Sequence, residues 1–85
     1  MQTKTIKTEA QNLLDTQGVS ASLDYLYEAS SNNVDLMQRK NDLILFFGRY
    51  NRLQREFKQK VISTERFELI QNRIKISLTE LIAEL

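Results

Sequence analysis

The 85-residue sequence contains no cysteine, no histidine, no proline and no tryptophan, and it has only two glycines. Without cysteine, neither disulfides nor thiolate metal sites can form. Without histidine, the chain lacks the commonest general base and the commonest metal ligand. It also has no glycine-rich phosphate loop. We therefore expect a domain that is not an enzyme and that binds no metal, cofactor or small-molecule substrate.

Long apolar runs are also missing from the sequence. The N-terminal stretch MQTKTIKTEAQNLL has no apolar segment of signal-peptide length. No apolar run approaches the roughly 20 residues that a membrane-spanning helix needs. These absences predict a soluble protein in the cytoplasm, and the missing cysteines fit a reducing compartment.

Apolar residues recur at helical spacing in four segments, and no segment alternates with the period of a strand. The predicted helices cover about 5–16, 20–29, 34–58 and 63–85. Gly18 is expected to cap the end of the first helix, and Ser20 and Ser63 to cap the starts of the second and fourth. Because the connections are short, successive helices should be antiparallel neighbours. The prediction is a single all-α domain over residues 1–85, a compact antiparallel four-helix bundle.

The third predicted helix contains the stretch LILFFG, from Leu43 to Gly48. Five consecutive apolar residues surround more than one full turn, which indicates a central helix with neighbours on more than one side. A glycine inside a helix costs roughly 0.5–1 kcal/mol relative to alanine. We therefore expect Gly48 to allow close approach of a neighbouring backbone, so that a bulky residue there would destabilise the fold.

Charge is distributed unevenly along the chain. Residues 1–35 hold two basic and five acidic side chains and residues 36–85 hold ten and six, which gives net charges of −3 and +4. Arg49, Arg52 and Arg55 form a ridge on the third helix, whereas Asp24 and Glu28 belong to the acidic half. The ridge fits a solvated face partly paired with Glu56 and Asp42, a protein-docking surface, or a nucleic-acid site. A sequence pI near 8.0 is low for nucleic-acid binding.

Leu69, Ile76 and Ala83 recur every seven residues on the fourth helix, opposite its main apolar stripe. They are either covered by the first two helices or exposed to a partner, and both interpretations remain open. Two further interpretations concern Arg49 and Arg73. Either Arg49 reaches a carboxylate or the carbonyls at a helix end, while Asn51 and Asn72 bond to loop backbone, or Arg49 and Arg73 belong to a docking surface.

The stretches LDTQGVSASLDYLYEAS and LILFFGRYNRLQREFKQKVISTERFELIQNRIKISLTELIAEL resemble the effector-associated domains of bacterial conflict systems, specifically the eleventh type. The resemblance covers about residues 13–85 and rests on the order and spacing of several motifs. The residues that carry it are Gly18, Leu23, Leu26, Arg49, Asn51, Leu53, Ile62, Ser63, Asn72, Arg73 and Ile74.

Two positions depart from this family pattern. Ser22 stands where the family usually has alanine, which is a mild change. Lys60 stands where the family usually has glycine, just before the last helix. If that position needs a left-handed backbone, lysine would adopt it at a cost of roughly 1 kcal/mol.

The resemblance implies a small, death-like helical adaptor that is fused to effectors or NTPase sensors and recruits one component to another by homotypic pairing. Effectors of such systems include caspase-like or trypsin-like peptidases and TIR-type enzymes. Our leading hypothesis is therefore a non-enzymatic protein-interaction domain that pairs with itself or a sister domain. In this pairing the acidic first two helices would meet the basic ridge, flanked by apolar contacts. The alternatives are a small nucleic-acid-binding regulator and a purely structural dimerisation module.

Overall fold

The computed structural model describes residues 3–85, and side-chain environments from residue 5 onward. Within residues 3–85 the chain forms helices and no strand, which confirms the predicted all-α class. The predicted number of four helices is wrong, because the described chain has five. They are α1 (Thr3–Thr16), α2 (Val19–Ala29), α3 (Val34–Met37), α4 (Lys40–Lys58) and α5 (Thr64–Ala83).

The long third helix predicted over residues 34–58 is interrupted between α3 and α4. The Asn33 side chain accepts a hydrogen bond from the Leu36 amide at 3.0 Å and caps α3. Arg39 then leaves helical geometry, with φ −96° and ψ 5°. Its guanidinium forms an ion pair with Glu84 at 3.0 Å, near the end of α5. Neither glycine nor proline marks the break, so the local sequence contained no strong signal for it.

Gly18 joins α1 to α2 with a backbone conformation that favours glycine. Its φ of 103° and ψ of −175° lie in a region that is accessible almost only without a Cβ. The Gly18 amide donates to the Leu13 carbonyl at 3.0 Å, and the Gly18 carbonyl accepts from the Ser22 amide at 3.3 Å. Gly18 therefore ends one helix and begins the next. The prediction that Ser20 caps α2 is wrong, because α2 starts at Val19 with Gly18 in the capping position.

The helices surround one apolar core. Helix α1 contacts α2 and α5, and α4 also contacts α2 and α5. The end of α5 lies beside the starts of both α1 and α4, since Lys7 donates to the Ala83 carbonyl at 3.0 Å and Arg39 pairs with Glu84. The buried apolar side chains are Ile6, Ala10, Leu14, Val19, Leu23, Leu26, Leu36, Leu43, Phe46, Leu53, Ile74, Leu78, Leu81 and Ile82.

Two buried serines donate to backbone carbonyls. The Ser22 hydroxyl on α2 donates to the Ala10 carbonyl of α1 at 2.8 Å, and Ser30 donates to the Tyr27 carbonyl at 2.6 Å. No buried side-chain nitrogen or oxygen in the described part of the chain lacks a hydrogen-bond partner. Ser22 thus links two helices through a polar contact, which alanine at this position could not make.

The connection from α4 to α5 has the hydrogen bonds of a Schellman motif. Lys60 has φ 58°, its amide donates to the Phe57 carbonyl at 3.0 Å, and the Val61 amide donates to the Glu56 carbonyl at 2.9 Å. Ser63 then caps α5 by accepting from the Arg66 amide at 3.2 Å. Lys60 therefore has the left-handed backbone that was expected at this position, where the family usually has glycine.

Replacing Lys60 by glycine should raise the free energy of unfolding by about 1 kcal/mol, because glycine adopts the left-handed conformation without steric cost. For a domain of this size the corresponding rise in Tm is about 4–8 °C. Thermal unfolding followed by circular dichroism measures the change. Lys58→Gly, within α4, is the matched control and should lower stability by roughly 0.5–1 kcal/mol. A Lys60→Gly protein no more stable than the parent would contradict the strain at this position.

Gly48 lies on the exposed side of α4, and a Cβ placed there would meet no neighbouring heavy atom within 4 Å. The predicted close backbone approach at Gly48 is therefore wrong. Two members of LILFF, Ile44 and Leu45, are also exposed, at 49% and 62%. Helix α4 has neighbours on two sides, α2 and α5, but these do not cover its whole circumference.

The sequence predicted that a larger residue at Gly48 would destabilise the fold, but the open space there predicts the opposite for alanine. Gly48→Ala should stabilise the protein by roughly 0.5–1 kcal/mol, because alanine has the higher helix propensity and no neighbouring atom opposes its methyl group. Chemical denaturation measured on both proteins tests the change. A clear loss of stability would show that another group approaches this position.

Candidate protein-interaction site

A groove runs along the surface between α4 and α5. Its better defined half, with a volume of about 340 Å³, is here called the arginine groove. Leu53 and Ile74 are buried at 3% and 5% exposure and form an apolar floor. The remaining residues that line the arginine groove are Arg49, Arg52, Glu56, Ile70, Arg73 and Ser77.

Helical spacing explains why these side chains meet. Residues three and four apart in a helix lie on one face. On α4 this spacing aligns Leu45, Arg49, Arg52 and Glu56, and on α5 it aligns Leu69, Arg73, Ile76 and Glu80. Because α4 and α5 pack against each other, the arginines of the two rows meet in the groove, and Leu69 and Ile76 lie one turn from Arg73 outside its lining.

The arginines of the groove differ in their ion pairing. Arg52 Nε donates to Glu56 at 2.9 Å, as expected for a partly paired basic face. Arg49 and Arg73 form no ion pair or side-chain hydrogen bond with any described residue. The interpretation that Arg49 reaches a carboxylate or helix-end carbonyls within the fold is therefore wrong. Their guanidinium groups remain available to an anion from outside the domain.

Two predicted asparagine contacts are also absent from the described structure. Asn51 and Asn72 are exposed on α4 and α5, and neither side chain bonds to loop backbone within residues 3–85. The helix ends are satisfied instead by the Lys60 turn and the Ser63 cap. The prediction that these asparagines hold the loops is therefore wrong.

The groove continues past Arg49 and Ser77 toward the start of α4. This second half has a volume of about 220 Å³ and a mixed charge. Arg39 lies there between two carboxylates, at 3.8 Å from Asp42 and 3.0 Å from Glu84. Its remaining lining residues are Leu45, Phe46, Glu80 and Leu81. Uncompensated positive charge is therefore concentrated in the arginine groove rather than along the whole surface.

Apolar side chains flank the arginine groove. Leu45, Leu69 and Ile76 are exposed at 62%, 48% and 60%, respectively. The interpretation that α1 and α2 cover Leu69 and Ile76 is therefore wrong, and Ala83 is exposed as well. Exposed apolar residues around central arginines have the composition of a protein-binding surface, where arginine is enriched.

Arg55 does not belong to this surface. It is exposed on α4, does not line the groove, and forms no ion pair with a described residue. The predicted ridge of Arg49, Arg52 and Arg55 is thus divided: the first two face α5, and the third projects elsewhere. Arg73, which is distant in sequence, joins the groove in its place.

A short acidic strip lies on α2 and consists of Asp24 and Glu28. Both side chains are exposed, and neither forms an ion pair with a described residue. They lie on the side of α2 opposite the buried Leu23 and Leu26. Nearby, burial first and the negative charge of Glu9 second raise the pKa of Tyr25 above its ordinary value. The α1–α2 surface therefore combines acidic groups from both helices.

Sequence reasoning missed further exposed apolar residues around α3 and the start of α4. Val34 and Met37 are exposed at 72% and 51%. Tyr27 packs edge-on against Phe47, with ring centroids 5.8 Å apart, and Lys40 Nζ lies 5.2 Å from the Tyr27 centroid. The prediction of one continuous helix over 34–58 did not identify α3 as a separate element.

Two kinds of site are not found in the described part of the chain. No group of three or more acidic, histidine or cysteine side chains is placed to hold a metal ion among these residues. None of the described helices has the length and apolar character to cross a membrane.

The fold and the groove define a small helical accessory domain with a candidate protein-binding face. Comparison with protein families identifies it further: the chain matches the model of effector-associated domain 11 over residues 5–85 and belongs to this family. No curated protein matches the chain significantly. No solved structure does so either.

Because Arg49 and Arg73 have no partner within the described fold, replacing either by alanine should change the free energy of unfolding by less than about 0.5 kcal/mol. Leu53→Ala, in the floor of the same groove, should cost about 2–5 kcal/mol through the cavity it leaves. Urea denaturation of the three variants tests the contrast. A large loss of stability in the Arg49 or Arg73 variant would assign that arginine to the fold rather than to a partner.

Proposed function

We propose that this domain is a non-catalytic adaptor that binds another protein, either a second copy of itself or a sister domain. In this proposal the acidic surface of α1 and α2 on one molecule meets the basic surface of α4 on the next. The observation that carries the proposal is the arginine groove, in which Arg49 and Arg73 lack partners beside exposed Leu69 and Ile76.

Charge and apolar surface have separate roles in the proposed contact. Opposite potentials steer association and select partners more than they add affinity. Burying Leu45, Leu69 and Ile76 would provide the apolar contribution, because removing apolar area from water is favourable. The groove between two helices can accept an additional helix, as in helix-in-groove recognition.

Family membership supports an accessory role in proteins that carry effectors. We propose that the domain couples effector and sensor components of a bacterial conflict or defence system, in the manner of death-like adaptors. The partner domain would be fused to an effector or to an NTPase sensor. Within this proposal the site of action is the cytoplasm.

Self-association should weaken as salt increases, because screening reduces the attraction between exposed charges. Sedimentation velocity or light scattering at about 0.05 M and about 0.5 M salt spans a threefold change in Debye length. We expect the average mass at a fixed high protein concentration to fall toward that of the monomer in high salt. A purely apolar dimerisation module would keep or increase its mass.

The proposal also specifies what would overturn it. A domain that stays monomeric at high concentration and low salt, and that binds no sister domain from the same genome, does not have this function. A salt-insensitive association would retain the adaptor role but reject the charged contact.

A further inference from the structure

The acidic strip and the arginine groove lie on different helices. Asp24 and Glu28 occupy the side of α2 opposite the buried Leu23 and Leu26, and the groove is lined by residues of α4 and α5. The two surfaces share no residue. Both surfaces of one molecule can therefore be occupied at the same time.

The charges of the two surfaces are complementary. Asp24 and Glu28 lie one helical turn apart, with about 5–6 Å between Cβ atoms for such a pair. In the groove, Arg49 on α4 and Arg73 on α5 border the apolar floor of Leu53 and Ile74. All four charged groups lack ion-pair partners among the described residues. Each carboxylate can therefore pair with a guanidinium of another molecule without breaking an existing ion pair.

Aromatic surface accompanies the acidic strip. Tyr27 lies between Asp24 and Glu28 in the sequence of α2 and is 38% exposed. Its ring is held by the edge-on contact with Phe47 and by Lys40. A positioned tyrosine beside two carboxylates provides contact area with little loss of side-chain freedom.

We infer that the arginine groove of one copy binds helix α2 of a second copy, with Asp24 and Glu28 pairing with Arg49 and Arg73. This inference rests on the proposed function of self-association and names its two surfaces. After one such contact, one copy keeps a free acidic strip and the other keeps a free groove. Association continues head to tail beyond the dimer unless these two free surfaces meet and close the pair.

Two complementary variants test this arrangement in the full chain. Asp24→Lys with Glu28→Lys blocks the strip, and Arg49→Glu with Arg73→Glu blocks the groove. By sedimentation velocity at low salt, the unmodified protein should self-associate, into a dimer if the pair closes and into larger species if it does not. Each variant alone should be monomeric, with self-association weakened by about tenfold or more. Their equimolar mixture should recover the self-association of the unmodified protein, because each reversed surface of one variant meets a surface of opposite charge on the other.

Matched controls separate the surface from the charge change. Arg55→Glu changes charge on α4 outside the groove, and Asp35→Lys changes it on α3 outside the strip. Both should self-associate like the parent apart from a small shift in salt dependence. If the charge-reversed proteins fail to fold by circular dichroism, Asp24→Asn with Glu28→Gln and Arg49→Gln with Arg73→Gln replace them. The mixture of these neutral variants should stop at a one-to-one heterodimer, because only one unmodified strip and one unmodified groove remain in each pair.

Other outcomes distinguish the inference from the proposed function. If the strip-blocked variant still forms a homodimer and the groove-blocked variant does not, the contact joins groove to groove and the inference is wrong. If the unmodified protein stays monomeric but binds a sister domain, the groove does not bind a second copy of this chain, and the inference is wrong while the proposed adaptor function stands. If it binds neither, both fail.

Discussion

The packing of α5 against both α1 and α4 is the constraint on which the rest of the structure depends. Helix α5 buries Ile74, Leu78, Leu81 and Ile82 and so joins the first part of the chain to the last. Because its neighbours lie on the core side, the opposite side of α5 remains uncovered. The same packing that stabilises the core therefore creates the groove with α4 and exposes the apolar residues that flank it.

Stability and interaction use different residues in this domain. The core and its connections depend on buried leucines, on the Gly18 junction and on the Ser22 hydroxyl bonded to the Ala10 carbonyl. The arginine groove, by contrast, has exposed guanidinium groups on an apolar floor. Salt bridges on such exposed surfaces contribute little to folding. The charged surface can therefore be altered to select partners with little effect on the fold.

Several features were accessible from local sequence. The Ser63 cap needs only a serine before a helical pattern, and the left-handed Lys60 was suggested by the glycine that the family has at that position. The predictions of a continuous helix through Arg39 and of close packing at Gly48 were wrong for a physical reason. The break at Arg39 coincides with neither glycine nor proline, and the open space at Gly48 depends on where neighbouring helices pass. Periodicity along one helix contains no information about either.

The sequence by itself determined that the fold is all-α, because the spacing of apolar residues is helical throughout. Its composition also determined that no histidine or cysteine is available for a site, and that acidic residues predominate in the first part of the chain and basic residues in the second. The resemblance of its motifs to effector-associated domains also identified the family whose model the chain matches. Only tertiary structure decided which arginines act together. Arg73 joins Arg49 and Arg52 while Arg55 does not, because the packing of α4 on α5 brings distant turns together and separates near ones.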